Sequence, residues 1–193
     1  TVLTVSAADD SGMNVAKISY KFKFGNSEGL FRIGLRSGII EVSKFGLDYE
    51  SEKNYLMGVE ARDESTNKSV VVEVNITITD VNDNSPVFDP TEYVKEVYEN
   101  VSIGTTLVRV NATDKDSGAN GRLVFSILSG NDKQSFRINS RTGEIVTITS
   151  LDYESIKEHR LSIQASDEGK QAQISGFNDK SPRGDEICSF TVQ

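Results

Sequence analysis

The string Asp80-Val81-Asn82-Asp83-Asn84 sets two carboxylates and two side-chain amides into five consecutive residues. Oxygen at that density repels itself unless a positive charge sits among it. An oxygen-only donor set suits a hard cation, which takes about six to eight carboxylate, amide and backbone oxygens, so the string favours Ca²⁺ over zinc. No EF-hand string is present to supply a rival calcium geometry. The plainer alternative is a solvated turn rich in Asp and Asn. Catalysis has little to build on: there is one histidine, His159, one cysteine, Cys188, and no nucleophile elbow for a hydrolytic triad. A glycosidase-like pair of acids would leave the pattern of the remaining acids unexplained, so the chain is not expected to be an enzyme.

Those remaining acids repeat. Leu47-Asp48-Tyr49-Glu50 recurs as Leu151-Asp152-Tyr153-Glu154, 104 residues on (152 against 48), and Ala61-x-Asp63 recurs as Ala165-x-Asp167 at the same offset. Ser37-Gly38-Ile39-Ile40 returns as Thr142-Gly143-Glu144-Ile145 at 105 (143 against 38), and Asp10-Ser11-Gly12-Met13-Asn14 as Asp116-Ser117-Gly118-Ala119-Asn120 at 106 (116 against 10). A period this long means two homologous domains in tandem rather than a solenoid, and 193 residues suffice for two small cores. Pro86 cannot extend a central ladder, so the boundary lies at the acidic string: residues 1–84 form the first domain, ending in the linker, and 85–193 the second.

The elements that must position the acids are strands. Val70, Val72, Val74, Ile76 and Ile78 alternate with Val71, Glu73, Asn75, Thr77 and Thr79, a long strand with one buried face. Leu161, Ile163 and Ala165 form a second such face, Leu123, Phe125 and Ile127 a third, and Phe136 with Ile138 a fourth. No helical stripe appears. Short strands broken by turn residues predict an all-β sandwich in each domain, and the absence of a Cys, Trp, Cys set argues against an immunoglobulin domain. His159 stands where Tyr55 stands in the first domain and reads as a half-buried structural residue, and Cys188 as a buried free thiol.

Apolar residues make up 36% and charged residues 26%, the composition of a folded chain, and the net charge of −8 argues against nucleic acid or an anionic membrane surface as partner. The longest aliphatic run is Val70-Val71-Val72, far short of the ~20 apolar residues of a spanning helix; any anchor or export signal is expected outside this segment. One cysteine excludes a disulfide framework within the chain. Four Asn-x-Ser/Thr sequons, at Asn67, Asn75, Asn100 and Asn111, suggest a secreted or cell-surface glycoprotein.

Taken together, these strings resemble the cadherin family over essentially the whole chain. Leu47 to Glu50 resembles its L-D-R-E motif, Asp80 to Asn84 its D-x-N-D-N linker, Asp114 to Asp116 its D-x-D, Ala165 to Asp167 its A-x-D, and Glu99-Asn100 its P-E-N, with Tyr98 in place of Pro. The resemblance implies two tandem seven-stranded Greek-key sandwiches, with about three Ca²⁺ ions between consecutive repeats. It assigns Asp48, Glu50 and Asp83 to one ion, and Glu50, Asp80, Asp83, Asp116 and the Val81 carbonyl to a second. The third takes Asp114, Asp116, Asp167, the Asn84 side chain and the carbonyls of Asn82 and Asn120. Asp9, Asp10 and Asp63 would face a preceding junction, with Asp9-Asp10 one residue shorter than the D-x-D string. Glu99, Asp152 and Glu154 would face a following one. The family's Glu for the first ion would lie upstream of Thr1, which aligns with Thr106. The seven carboxylates of the central set account for −7 of the −8.

The function so implied is calcium-dependent cell adhesion, by two ectodomain repeats of a single-pass protein on the outer side of the plasma membrane. The partners would be other cadherin ectodomains, homophilic or heterophilic, or the repeats would serve as a spacer. Without Trp or a free strand upstream of Thr1, the chain is not expected to be a strand-exchanging tip. Strand parity puts Cys188 opposite Val74, so about ten residues are inserted before the last strand, in a long polar loop. Within it, Asn178-Asp179-Lys180-Ser181-Pro182 mimics the linker but stands too close after Asp167. Arg183-Gly184-Asp185 resembles the integrin-recognition tripeptide, which leaves a heterophilic receptor ligand as the alternative.

Overall fold

A computed structural model of the chain describes residues 1–8, 17–43, 46–169 and 186–192. The chain divides into two compact units, Thr1–Thr79 and Asp80–Gln193. Among the described residues, every regular element of more than a turn is a strand.

Unit 1 holds β1 (Leu3–Thr4), β2 (Ile18–Phe24), β3 (Phe31–Ile33), β4 (Ile39–Val42), β5 (Asn54–Asp63) and β6 (Ser69–Thr77). They form two three-stranded sheets, ordered β1-β4-β3 and β2-β5-β6. Period-two alternation explains the packing: Ile18 and Tyr20 of β2, Ile40 of β4, Met57, Val59 and Ala61 of β5, and Val74 and Ile76 of β6 all turn into one core. The Tyr20 hydroxyl keeps a partner in that core by accepting from the Ala7 N–H at 2.8 Å.

Unit 2 holds β7 (Val87–Phe88), β8 (Glu92–Lys95), β9 (Thr106–Arg109), β10 (Ala112–Thr113), β11 (Leu123–Ser129), β12 (Phe136–Ile138), β13 (Glu144–Thr147), β14 (His159–Asp167) and β15 (Glu186–Val192). Its main sheets run β11-β14-β15-β8 and β12-β13-β9, with β10 paired to β7. Pro90 interrupts β7 and β8, and Val110-Asn111 interrupts β9 and β10, so the nine segments trace seven strands of a sandwich. Phe125, Phe136, Ile145, Leu161, Ile163, Phe190 and Val192 fill its core.

Two sequence expectations need correction. Val70 and Val72 share the core parity of Val74 yet are 64% and 47% exposed. β6 pairs only with β5 among the described residues, whereas its counterpart β15 is flanked by β14 and by the parallel strand β8. The core of unit 1 takes only Val74 and Ile76 from β6, so the first half of that strand runs beyond the packed interior. The register of the last strand also differs: Ile163 pairs with Cys188, and the equivalent Val59 pairs with Val72. Cys188 thus matches Val72, not Val74, and the insertion is twelve residues long (116 between the matched strands against 104 before them). Parity survives a slip of two residues, so alternation could not expose the error.

Turn chemistry repeats with the strands. Asn26 accepts from the Phe31 N–H at 3.1 Å and donates to the Phe31 carbonyl at 2.7 Å; Asn131 does the same to Phe136 at 3.1 and 2.8 Å. Gly38 and Gly143 stand at φ of 63° and 70°, and a Cβ would meet the Val5 carbonyl oxygen at 2.0 Å or that of Val110 at 2.5 Å. Only glycine fits that left-handed turn against a neighbouring strand.

Phe190 is fully buried in the unit 2 core. Phe190→Ala is expected to cost about 3–5 kcal/mol, read as a lower urea midpoint for the transition of unit 2.

Candidate metal centre

In unit 2 the acids arrive from three stretches of chain. The string Asp80 to Asn84 opens the unit, Asp114 and Asp116 follow β10, and Asp167 ends β14. Asp116 is buried and Asp80, Asp114 and Asp167 are half-buried.

Amide donors hold them in place. Asn82 Nδ2 donates to Asp167 Oδ1 at 2.7 Å, and Asn84 Nδ2 to Asp116 Oδ1 at 2.6 Å. The Asn84 backbone N–H reaches Asp116 Oδ2 at 3.1 Å. Asp80 Oδ2 accepts from Asn120 Nδ2 at 2.8 Å and from the Ser117 N–H at 3.1 Å. Asn84 Nδ2 also lies 3.1 Å from Asp83 Oδ1. The D-x-D spacing closes on itself, because the Asp116 N–H donates to Asp114 Oδ1 at 2.9 Å. Gly169, whose N–H reaches Asp167 Oδ1 at 2.8 Å, leaves room for these amides: a Cβ there would meet Asn120 Oδ1 at 2.4 Å and Asn82 Nδ2 at 2.6 Å. Ser117 and Gly169 were not singled out in sequence, for they contribute backbone N–H groups, which residue type does not announce.

Asp80 Oδ1 and Asp114 Oδ2 are buried and have no hydrogen-bond partner among the described residues. Burial pushes the Asp114 carboxyl above the ordinary carboxylate range, and the Asp116 and Asp167 charges push it further. Divalent cations would give these oxygens partners and offset the repulsion, and the donor set is one that calcium accepts. The residues therefore fit a hard cation.

The L-D-x-E strings build one local turn twice. Asp48 Oδ1 accepts from the Glu50 N–H at 3.1 Å and Oδ2 from the Ser51 hydroxyl at 2.6 Å; Asp152 receives Glu154 at 3.1 Å and Ser155 at 2.6 Å in the same way. The serine hydroxyl is the main reason both carboxyls stay below their usual range. Lys53 stacks over Tyr49 at 4.5 Å and Lys157 over Tyr153 at 5.7 Å. Glu99 Oε2 accepts from the Tyr153 N–H at 3.0 Å, so Glu99 meets the Asp152 to Glu154 turn. Asp63 is held at about 2 by the hydroxyls of Ser65 and Thr66 and the Ser65 N–H.

Asn67, Asn75, Asn100 and Asn111 are all exposed. Asn75 points out from β6, and Asn67 Oδ1 accepts from Arg62 Nη1 at 2.9 Å. Asp9, Asp10 and the Arg183-Gly184-Asp185 tripeptide lie outside the described residues. One buried charge escaped the sequence reading. Glu60, 3% exposed on the outer face of β5, is ion-paired to Lys21 at 3.0 Å with Lys23 and Arg62 at 3.7 and 3.9 Å.

Two all-β sandwiches in tandem, with an acidic string where the second begins, define a chain of paired β-sandwich repeats. A family model described as Cadherin domain matches residues 1–79 and 93–176, and the chain belongs to the cadherin family. It is 36% identical over 97% of its length to protocadherin Fat 4 of Mus musculus. To mouse cadherin EGF LAG seven-pass G-type receptor 1 it is 36% identical over 94%. The chain spans only 4% and 6% of those relatives. The crystal structure of mouse cadherin-23 EC22-24 superposes with a TM-score of 0.82 at 27% identity, covering 99% of this chain and 58% of that one. The structure of mouse clustered PcdhgC3 EC1-3 gives 0.74 at 27%, covering 91% and 55%. Among the described residues no helix is long and apolar enough to cross a membrane.

His159 stacks edge-on to Phe136 at 5.1 Å, as Tyr55 does to Phe31 at 5.3 Å, and burial lowers its pKa from 6.5. A lowered folded value means the unfolded chain takes the proton more readily. Stability of unit 2 is therefore expected to be full above pH 6.5 and to fall as pH drops below it. Melting temperatures across pH 5 to 8 should show that slope in the parent and a flatter one in His159→Tyr.

Proposed function

We propose that the chain is a pair of ectodomain repeats of a calcium-dependent cell-adhesion protein, acting in contacts with other cadherin ectodomains and anchored by a segment elsewhere in the parent protein. Asp48, Glu50, Asp80, Asp83, Asp114, Asp116 and Asp167 would supply carboxylates, Asn84 its side chain, and Val81, Asn82 and Asn120 backbone carbonyls. Bound calcium would supply the positive charge that lets these oxygens stay ionised side by side. The set draws on residues before and after the linker, so its occupation would restrict the linker. The observation that supports this reading best is the pair of buried, unpartnered oxygens, Asp80 Oδ1 and Asp114 Oδ2. Extracellular calcium modules bind at about 10⁻⁴ to 10⁻³ M. In millimolar calcium, about tenfold over a Kd of ~10⁻⁴ M, each such site stabilises by about 1.4 kcal/mol.

Thermal unfolding should therefore show a melting point several degrees higher in millimolar calcium than in chelator, and Asp83→Ala or Asp116→Ala should shrink that difference. An identical melting point in both conditions would sink the proposal.

Asp114→Asn separates repulsion from binding. Removing a half-buried like charge is expected to raise the chelator melting point by ~1–3 °C while abolishing most of the calcium response. A fall in the chelator melting point would show that the Asp114 charge is not strained in the metal-free chain.

A further inference from the structure

A tie between the two sheets of the sandwich recurs in both units at an offset of 104 to 105 residues, close to that of the acidic strings. In unit 2 the turn between β12 and β13 docks on β11 when the Phe125 N–H donates to the Ser140 carbonyl at 2.9 Å. From that turn Arg141 Nη2 reaches Glu168 Oε1 at 2.6 Å. The other oxygen of Glu168 takes Arg122 Nη1 at 3.1 Å, and the Glu168 N–H donates to the Arg122 carbonyl at 3.1 Å. Unit 1 repeats three of these contacts: Tyr20 N–H to the Leu35 carbonyl at 2.9 Å, Arg36 Nη2 to Glu64 Oε2 at 2.7 Å, and Glu64 N–H to the Lys17 carbonyl at 3.1 Å.

The place of the tie is what matters. β14 ends at Asp167, its last paired residue, opposite Leu123. Glu168 follows at once, beyond the ladder, and adjacent side chains of an extended chain point to opposite sides. A grip on Glu168 from Arg141, in the turn of the opposite sheet, and from Arg122, just before β11, would therefore set the backbone rotation that aims Asp167 at Asn82 and Gly169. Exposed single ion pairs add little to stability, which makes a purely stabilising role a poor account of the same pair built twice.

We infer that Glu168, clamped by Arg141 across the sandwich, is a positioning residue for the Asp167 carboxylate, as Glu64 with Arg36 is for Asp63. The inference rests on the calcium reading for its consequence, though not for its geometry. It places Arg141 and Glu168 behind the site, touching no ligand oxygen.

The test uses the whole chain with Glu168→Gln, Arg141→Met and Arg141→Lys. Two readouts are needed: calcium affinity by titration calorimetry, and amide exchange of Gly169 in chelator. The first two variants are expected to bind calcium ~3- to 10-fold more weakly, short of the ~10–100-fold typical of a group bonded directly to a ligand. Their Gly169 exchange should quicken ~3-fold or more, with the chelator melting point moving by no more than ~3 °C. Arg141→Lys should fall between them and the parent. Gly169 exchange unchanged in both variants overturns the inference, as does a uniform quickening across unit 2, which would mean cross-sheet stability alone. If the parent takes up no calcium, the functional reading falls, and the exchange measurement still decides the role of Glu168.

Discussion

Like charges brought together by the fold are the constraint around which unit 2 is built. Asp80, the Asp114–Asp116 pair and Asp167 come from separate stretches of chain, and burial, with the Asp116 and Asp167 charges added to it, raises the pKa of Asp114. Bringing ionised carboxylates out of water beside one another costs free energy unless something answers the charge. Part of the answer is internal: Asn82, Asn84 and Asn120 turn amide N–H groups toward the acids, and the Asn84, Ser117 and Gly169 backbone N–H groups add theirs. These donors do not reach every oxygen. Asp80 Oδ1 and Asp114 Oδ2 remain without a partner among the described residues, which is the chemistry a hard cation relieves.

The sandwich makes that assembly affordable. Each unit has its own apolar core, fed by one face of its strands, so the ends of the strands are free to carry polar residues. The acids sit at such ends: Asp167 closes β14, Asp63 closes β5, and Asp114 follows β10 directly. Turns shaped by Asp48 and Asp152, by Asn26 and Asn131, and by Gly38 and Gly143 then fix the chain between strands with the same hydrogen bonds in both units.

Much of the candidate site was legible because its residues lie in short strings and the strings recur at one offset. Acidic side chains and their spacing are visible without a fold. The supporting groups were not. Ser117 and Gly169 act through backbone N–H groups, and Arg141 and Glu168 stand 27 residues apart (168 against 141) with nothing local to link them. The buried Glu60 was missed for the same reason: its partners Lys21 and Lys23 come from another strand.

The sequence by itself determined the kind of element, the tandem repeat and the oxygen-only chemistry. Alternation of side chains is a local property of a strand, and a repeated string needs no structure to be seen. The tertiary structure alone decided the register of β15, where Cys188 matches Val72 rather than Val74, and the exposure of Val70 and Val72 on an edge. It also decided which carboxylate oxygens are buried together and which donors reach them. Those outcomes depend on pairings between distant stretches, and a strand pattern of period two is unchanged by a slip of two residues.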